Sequence, residues 1–160
     1  MAVVIDDSLA TFLESPVMIV VGTRDNMLRP ALGRAVGAKL SPNRVVLDLW
    51  ISEWQWPETV ANLRDIRSAA VTFSRPTDYV SYQLKGAVEE IGLVEPAGWE
   101  RVNAYTALTT AVLMECGVPR SFVDHWFTTA NLVKARIRIA DVFAQTPGPS
   151  AGRSVTGVVS

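Results

Sequence analysis

Arg34 and Lys39 lie in "GRAVGAKL", a stretch whose other residues are small or apolar. A guanidinium on an apolar strand face is costly unless an anion pairs with it, and a phosphate is a good bidentate partner. The alternatives are a local carboxylate such as Asp48, or a reach past the sheet edge to water. A second group stands in "WISEWQWPE", where Trp50, Trp54 and Trp56 fall beside Glu53 and Glu58 with no basic residue. An indole needs burial or a stacking partner, and its N–H needs an acceptor when buried. Three such rings suit a flat ligand, a subunit contact or a core. Glu53 is adverse to a phosphate there, because a carboxylate within ~5 Å is repulsive. His125 and Cys116 are the single histidine and the single cysteine. That excludes an internal disulfide, a multi-cysteine metal site and His-rich ligation. No G-x-S-x-G elbow accompanies His125.

These residues need a scaffold. With 160 residues, 49% of them hydrophobic and 19% charged, the chain reads as one globular domain. A net charge of −1 gives no basic footprint for nucleic acid. No uncharged apolar run approaches the ~20 residues needed to span a bilayer. The start, "MAVVIDDSLATFLESP", lacks the basic flank and apolar region of a signal peptide. A cytoplasmic protein without nucleic-acid or membrane partners is the expectation.

Strand patterns dominate. "VMIVVG" (17–22) is a short continuous apolar run, and "TRDNMLRP" supplies turn chemistry through Asp25, Asn26 and Pro30. "ALGRAVGAKL" alternates as a strand, with Leu32, Arg34, Val36, Ala38 and Leu40 on one face and Lys39 on the other. In "RVVLDLWI", Val45, Leu47, Leu49 and Ile51 oppose Val46, Asp48 and Trp50. Pro57 starts a helix striped by Val60, Leu63 and Ile66. "AAVTFS" and a strictly alternating "YVSYQLKGAVEEI" follow. Residues 96–115 read as a longer helix, started by Pro96, stopped by Gly117 and covered nearly all round. "LVKARIRIADVF" is the last strand, with His125 near its start. The fold expected is mostly β: a six-stranded antiparallel split barrel of Greek-key type with peripheral helices. Residues 1–145 form its single domain, and 146–160 a Pro/Gly/Ser-rich extended tail.

The order of these elements, with "GRAVGAKL", "ETVANLRDIRSAAVTFSRP" and "YQLKGAVEEI", resembles the pyridoxamine 5′-phosphate oxidase-like family of split barrels that bind flavin mononucleotide (FMN). The likeness covers about residues 15–92. It implies FMN as cofactor, a flavin-dependent oxidoreductase acting on a small-molecule substrate, and a homodimer whose tail, from Gln145 onward, crosses to the partner. It further implies that Arg34, Ala35, Val36, Gly37 and Lys39 engage the cofactor through side chains and strand backbone. Gln83 would stand at the flavin edge, and Trp50, Gln55 and Trp56 would border the site. The family places an adjacent Arg-Lys pair after the third strand to grip the phosphate; here those two places fall on Gln55 and Trp56.

Three arrangements stay open. The phosphate sits on Arg34 and Lys39 with helix-start amides near 57–60, or a ligand without phosphate stacks on the tryptophans, or the tryptophans are packing only. Members of this fold also use deazaflavin or haem, or have no known reaction. A second class of function is therefore a non-catalytic binding module, with His125 as the one imidazole for haem. A third is a dimeric barrel with a degenerate site and tryptophan hot spots. In the flavin reading the cofactor carries the hydride, so the chain needs no acid–base pair or nucleophile of its own.

Overall fold

The computed structural model describes residues 3–155. Among these, six strands and four helices are formed: α1 (Asp7–Leu13), β1 (Met18–Arg24), β2 (Pro30–Leu40), β3 (Val46–Ser52), α2 (Pro57–Asp65), β4 (Ser68–Ser74), β5 (Ser81–Gly92), α3 (Pro96–Glu115), α4 (Arg120–Trp126) and β6 (Leu132–Ala144). Every strand pairs antiparallel with its neighbours in the closed order β1-β2-β3-β6-β5-β4. Closure through β1 and β4 leaves the six strands no free outer edge to the sheet as a whole. The expected antiparallel barrel with peripheral helices is what the chain forms.

The barrel is filled by one alternate set of side chains from each strand: Ile19, Val21, Ala38, Leu47, Leu49, Ile51, Val71, Phe73, Leu84, Ala135 and Ile137 are all buried. Each large one contributes roughly 1.5–3 kcal/mol relative to exposure. Helix starts follow local chemistry. Asp6 caps α1 by accepting from the Leu9 N–H at 2.8 Å. Pro57 and Pro96 open α2 and α3 at a position where no N–H is needed. α3 stops where expected, at Gly117, whose φ of +87° suits glycine.

Four readings from the sequence are corrected. First, β2 does not keep one apolar face. Its ladder with β3 passes from Ala35↔Ile51 to Ala38↔Leu49, so Val36 and Gly37 together oppose Trp50. This bulge resets the alternation. Ala38 and Leu40 turn inward, whereas Arg34 and Lys39, five residues apart, both come to the outer surface, and Leu32 is 67% exposed. Second, β5 is not strictly alternating, because its pairing with β6 shifts at Lys85/Gly86 and again at Val88/Glu90. Third, α3 is not covered all round: Gly98, Val102, Tyr105, Thr109 and Leu113 form its buried stripe, while Trp99, Leu108 and Met114 remain exposed. Fourth, His125 belongs to helix α4 and not to the approach of a strand. Helices α1 and α4 lie in segments that the sequence reading left without a helix.

The described part of the tail turns back on its own chain. Gly152 N–H donates to the Ala144 carbonyl at 2.7 Å and Val155 N–H to the Val142 carbonyl at 2.8 Å. Val155 packs against the core. Residues 156–160, where the tail would run on, lie outside the described residues.

Candidate functional site

β2 presents its two cations on either side of α3. The helix lies along the strand: Arg101 Nε donates to the Ala38 carbonyl at 2.8 Å, and a Cβ added to Gly37 would stand 3.7 Å from Val102. Ala35, Val36 and Gly37, expected to meet a cofactor through their backbone, are all buried, Ala35 paired with the barrel-filling Ile51 and Gly37 close to Val102 of the helix.

Arg34 stands at one end of this contact. Its guanidinium carbon lies 4.5 Å from the centroid of the Trp126 ring, a cation–π distance. Nη1 is buried without a hydrogen-bond partner. No carboxylate pairs with Arg34 among the described residues, and Asp48 is engaged elsewhere: it accepts from Arg136 Nε and Nη2 at 2.8 and 2.9 Å. Burial holds the Arg34 pKa below the ordinary arginine value, the nearby Tyr105 opposing. A desolvated guanidinium with an idle donor calls for an anion.

Tyr105 forms the wall beside it. Its hydroxyl donates to the Val17 carbonyl at 2.6 Å, and its ring meets Phe127 edge-on at 5.8 Å. Burial pushes its pKa up, with the charges of Arg34 and Arg101 opposing. A phenol whose folded pKa is raised contributes stability that is complete below the unfolded value of about 10 and is lost as pH rises beyond it. Urea unfolding followed from pH 9 to 11.5 is therefore expected to show a falling midpoint above about pH 10. Tyr105→Phe should flatten that decline, and an unchanged slope would contradict the assignment.

Lys39 stands at the other end, 57% exposed and 3.0 Å from Glu14. It borders a cleft of about 420 Å³ lined also by Asp48, Trp50, Gly98, Arg101 and Lys134. The Lys134 side chain is 9% exposed and pairs with Glu95 at 2.9 Å. The cleft carries carboxylates as well as cations, so its charges are largely matched from within.

The three tryptophans part company. Trp50 is 4% exposed, wedged between Gly37 of β2 and Gly98 of α3, with Nε1 buried and unpartnered. Trp54 is 70% exposed. Trp56 is half-buried at the start of α2, against Gly33, the neighbour of Arg34. Glu53 is paired with Arg64, whose guanidinium holds its carboxyl below the usual range. Gln55 Nε2 donates to the His125 carbonyl at 2.7 Å, tying the loop to α4. His125 itself is exposed, its Nδ1 2.5 Å from the Ser121 carbonyl oxygen.

Gln83 lies well apart. The ladder runs Arg34↔Val20↔Thr72↔Gln83, three strand spacings or about 14 Å. Its Nε2 donates to Thr72 Oγ1 at 3.1 Å. Within one chain, then, Arg34 and Gln55 meet α4 with Trp56 against Gly33 beside them, Lys39 and Trp50 border the cleft, and Gln83 joins neither. Trp126, Tyr105, Arg101 and Lys134 escaped the sequence reading. The first two sit in helical segments far along the chain from Arg34, and Lys134 looks like one more solvated charge in an alternating strand.

Among the described residues, no group of three or more His, Cys, Asp or Glu side chains is placed to hold a metal, and no helix is long and apolar enough to cross a membrane.

A six-stranded closed barrel with its helices on the outside defines the chain as a split barrel. Solved structures share that architecture. HupZ of Group A Streptococcus superposes with a TM-score of 0.56 at 16% identity, covering 93% of this chain and 100% of its own. An F420 reductase gives 0.53 at 14%, covering 86% and 98%. A protein assigned as a pyridoxamine 5′-phosphate oxidase from Lactobacillus delbrueckii gives 0.54 at 11%, covering 88% and 93%. At such identities the likeness establishes the fold, and at that level the resemblance read from the sequence holds. No family model and no curated protein matches the chain.

Proposed function

We propose that this split barrel binds a flavin-type cofactor bearing a phosphate, with FMN as its simplest form, and that it serves as a flavin-dependent oxidoreductase. One observation carries the reading: Arg34 Nη1 is buried, charged and without a partner, on the strand where the resemblance puts a cofactor contact. The fit is good at the anion end. Arg34 would hold the phosphate, and the buried Tyr105 beside it would help keep water away. It is poor for a ring laid on the β2 backbone, since 35–37 are buried, and for a second phosphate grip at Gln55 and Trp56. When bound, the flavin supplies the hydride and electron chemistry. The chain's part is to bind, to orient and to exclude water. The same reading includes a homodimer.

Absorbance of the freshly purified protein and an FMN titration read by tryptophan quenching test this. Flavin bands near ~450 nm, or saturable quenching at micromolar FMN, about −8 kcal/mol, are expected. Absence of both would overturn the proposal.

A further inference from the structure

Helix α4 is held to the barrel by few contacts. Of its seven residues only Val123 is buried, and Phe122 is 59% exposed. Its Arg120 and Asp124 face each other within the helix at 3.6 Å. Between α4 and α3 runs a groove of about 390 Å³ lined by Thr106, Thr110, Val123, Asp124 and Phe127. Thr106 Oγ1 is buried there without a partner. A closely packed helix pair leaves neither such a void nor such an atom.

The C-terminal turn of α4 is tied down by the Gln55 Nε2 bond to the His125 carbonyl at 2.7 Å, by Trp126 over Arg34, and by Phe127 against Tyr105. The ends of the segment are fixed. On one side Gly117, with φ +87°, closes α3. On the other, Ser52 Oγ donates to the Ala130 carbonyl at 2.6 Å and Glu53 N–H to the Asn131 carbonyl at 3.1 Å. Asn131 itself has φ +52°. A helix pinned at both ends and loosely seated between them can swing without disturbing the barrel.

What it covers is the idle guanidinium. The face of an indole is a weaker partner for Arg34 than a bidentate oxyanion. On the Arg34 reading above, we infer that α4 is a displaceable cover: Trp126 occupies the anion's place in the ligand-free chain, and a phosphate-bearing ligand displaces it to reach Arg34. Gln55 is the latch. The ligand binds only the fraction of molecules that is open, so its apparent affinity is lowered by that fraction. Loosening the latch raises it.

Arg34 reports the cover directly. Phenylglyoxal condenses across both terminal nitrogens of a guanidinium, and Nη1 is the buried one. Ligand-free wild type, Gln55→Ala and Trp126→Ala are treated in parallel, with Arg34 modification read by peptide mass spectrometry and folding checked by circular dichroism. Several-fold faster modification of Arg34 in both variants is expected, slowed again by FMN. FMN affinity should rise about tenfold in Gln55→Ala, as for an open state populated at a few per cent. Equal modification rates in all three proteins would overturn the cover, whether or not FMN binds. Faster modification with no FMN binding by any of the three would sink the flavin reading and leave the cover standing.

Discussion

Gly86→Ala is expected to destabilise the barrel by roughly 3 kcal/mol or more, against an overpacking cost that is typically about 1–3. The added Cβ would stand 2.2 Å from the Arg138 carbonyl oxygen and 2.8 Å from Ile137 Cγ2. A backbone oxygen cannot rotate away as a flexible side chain can. The collision falls where the β5–β6 register shifts from Lys85↔Asp141 to Gly86↔Ile139. Gly86 also pairs with Ala69 of β4. To relieve the contact β6 must move, and β6 is shared with β3, the strand that carries Asp48 and Trp50. A urea titration followed by circular dichroism measures the effect. A midpoint equal to wild type would show that the bulge yields and that the close approach is not obligatory.

Gly98→Val is the second large effect, expected at about 3 kcal/mol. A Cβ at Gly98 would stand 2.7 Å from Trp50 Nε1 and 3.1 Å from Val94 Cγ1. The indole cannot retreat, because on its far side Gly37 allows the ring so near that a Cβ there would lie 3.2 Å from Cε3. Alanine at Gly98 separates the opposing contributions. Its helix propensity favours the variant by about 1 kcal/mol, whereas overpacking of a wedged ring costs about 1–3, so the net result is destabilising. Valine adds two more atoms and forgoes most of the propensity gain. Near-UV circular dichroism from Trp50 should weaken along with stability as α3 lifts from β2. A Gly98→Ala protein more stable than wild type would mean that the helix start shifts freely, and that α3 is no fixed roof over the Lys39 cleft.

Much of this architecture was legible in the sequence. The alternation of Leu47, Leu49 and Ile51 against Asp48 and Trp50, and the Pro57, Pro96 and Gly117 boundaries, reflect local rules that burial reinforces. What escaped has physical causes. A bulge adds one residue without changing composition, so the reset between Ala35 and Ala38 left no trace in the polarity pattern of "GRAVGAKL", and Arg34 was read onto the same face as Ala38 and Leu40. α4 carries a single buried side chain, too little for an amphipathic period to show. α1 is signalled only by Asp6 ahead of the Leu9, Phe12 and Leu13 stripe, seven residues being too few for a helical period to stand out. The site was legible in part. The demand of Arg34 for an anion followed from its residue type and neighbours, but Trp126 over it is a long-range contact with no local signature.

The central claim is that Arg34 takes the phosphate of a flavin, and FMN against riboflavin on wild type and Arg34→Gln tests it most directly. The two ligands differ only in the phosphate. Wild type should bind FMN more tightly than riboflavin, and Arg34→Gln should lose about 10- to 100-fold of FMN affinity, as charge-assisted hydrogen bonds of about 1.5–3 kcal/mol imply. Riboflavin binding should be little changed by the substitution. Equal affinity of wild type for the two ligands, or FMN binding unaltered in Arg34→Gln, would contradict it.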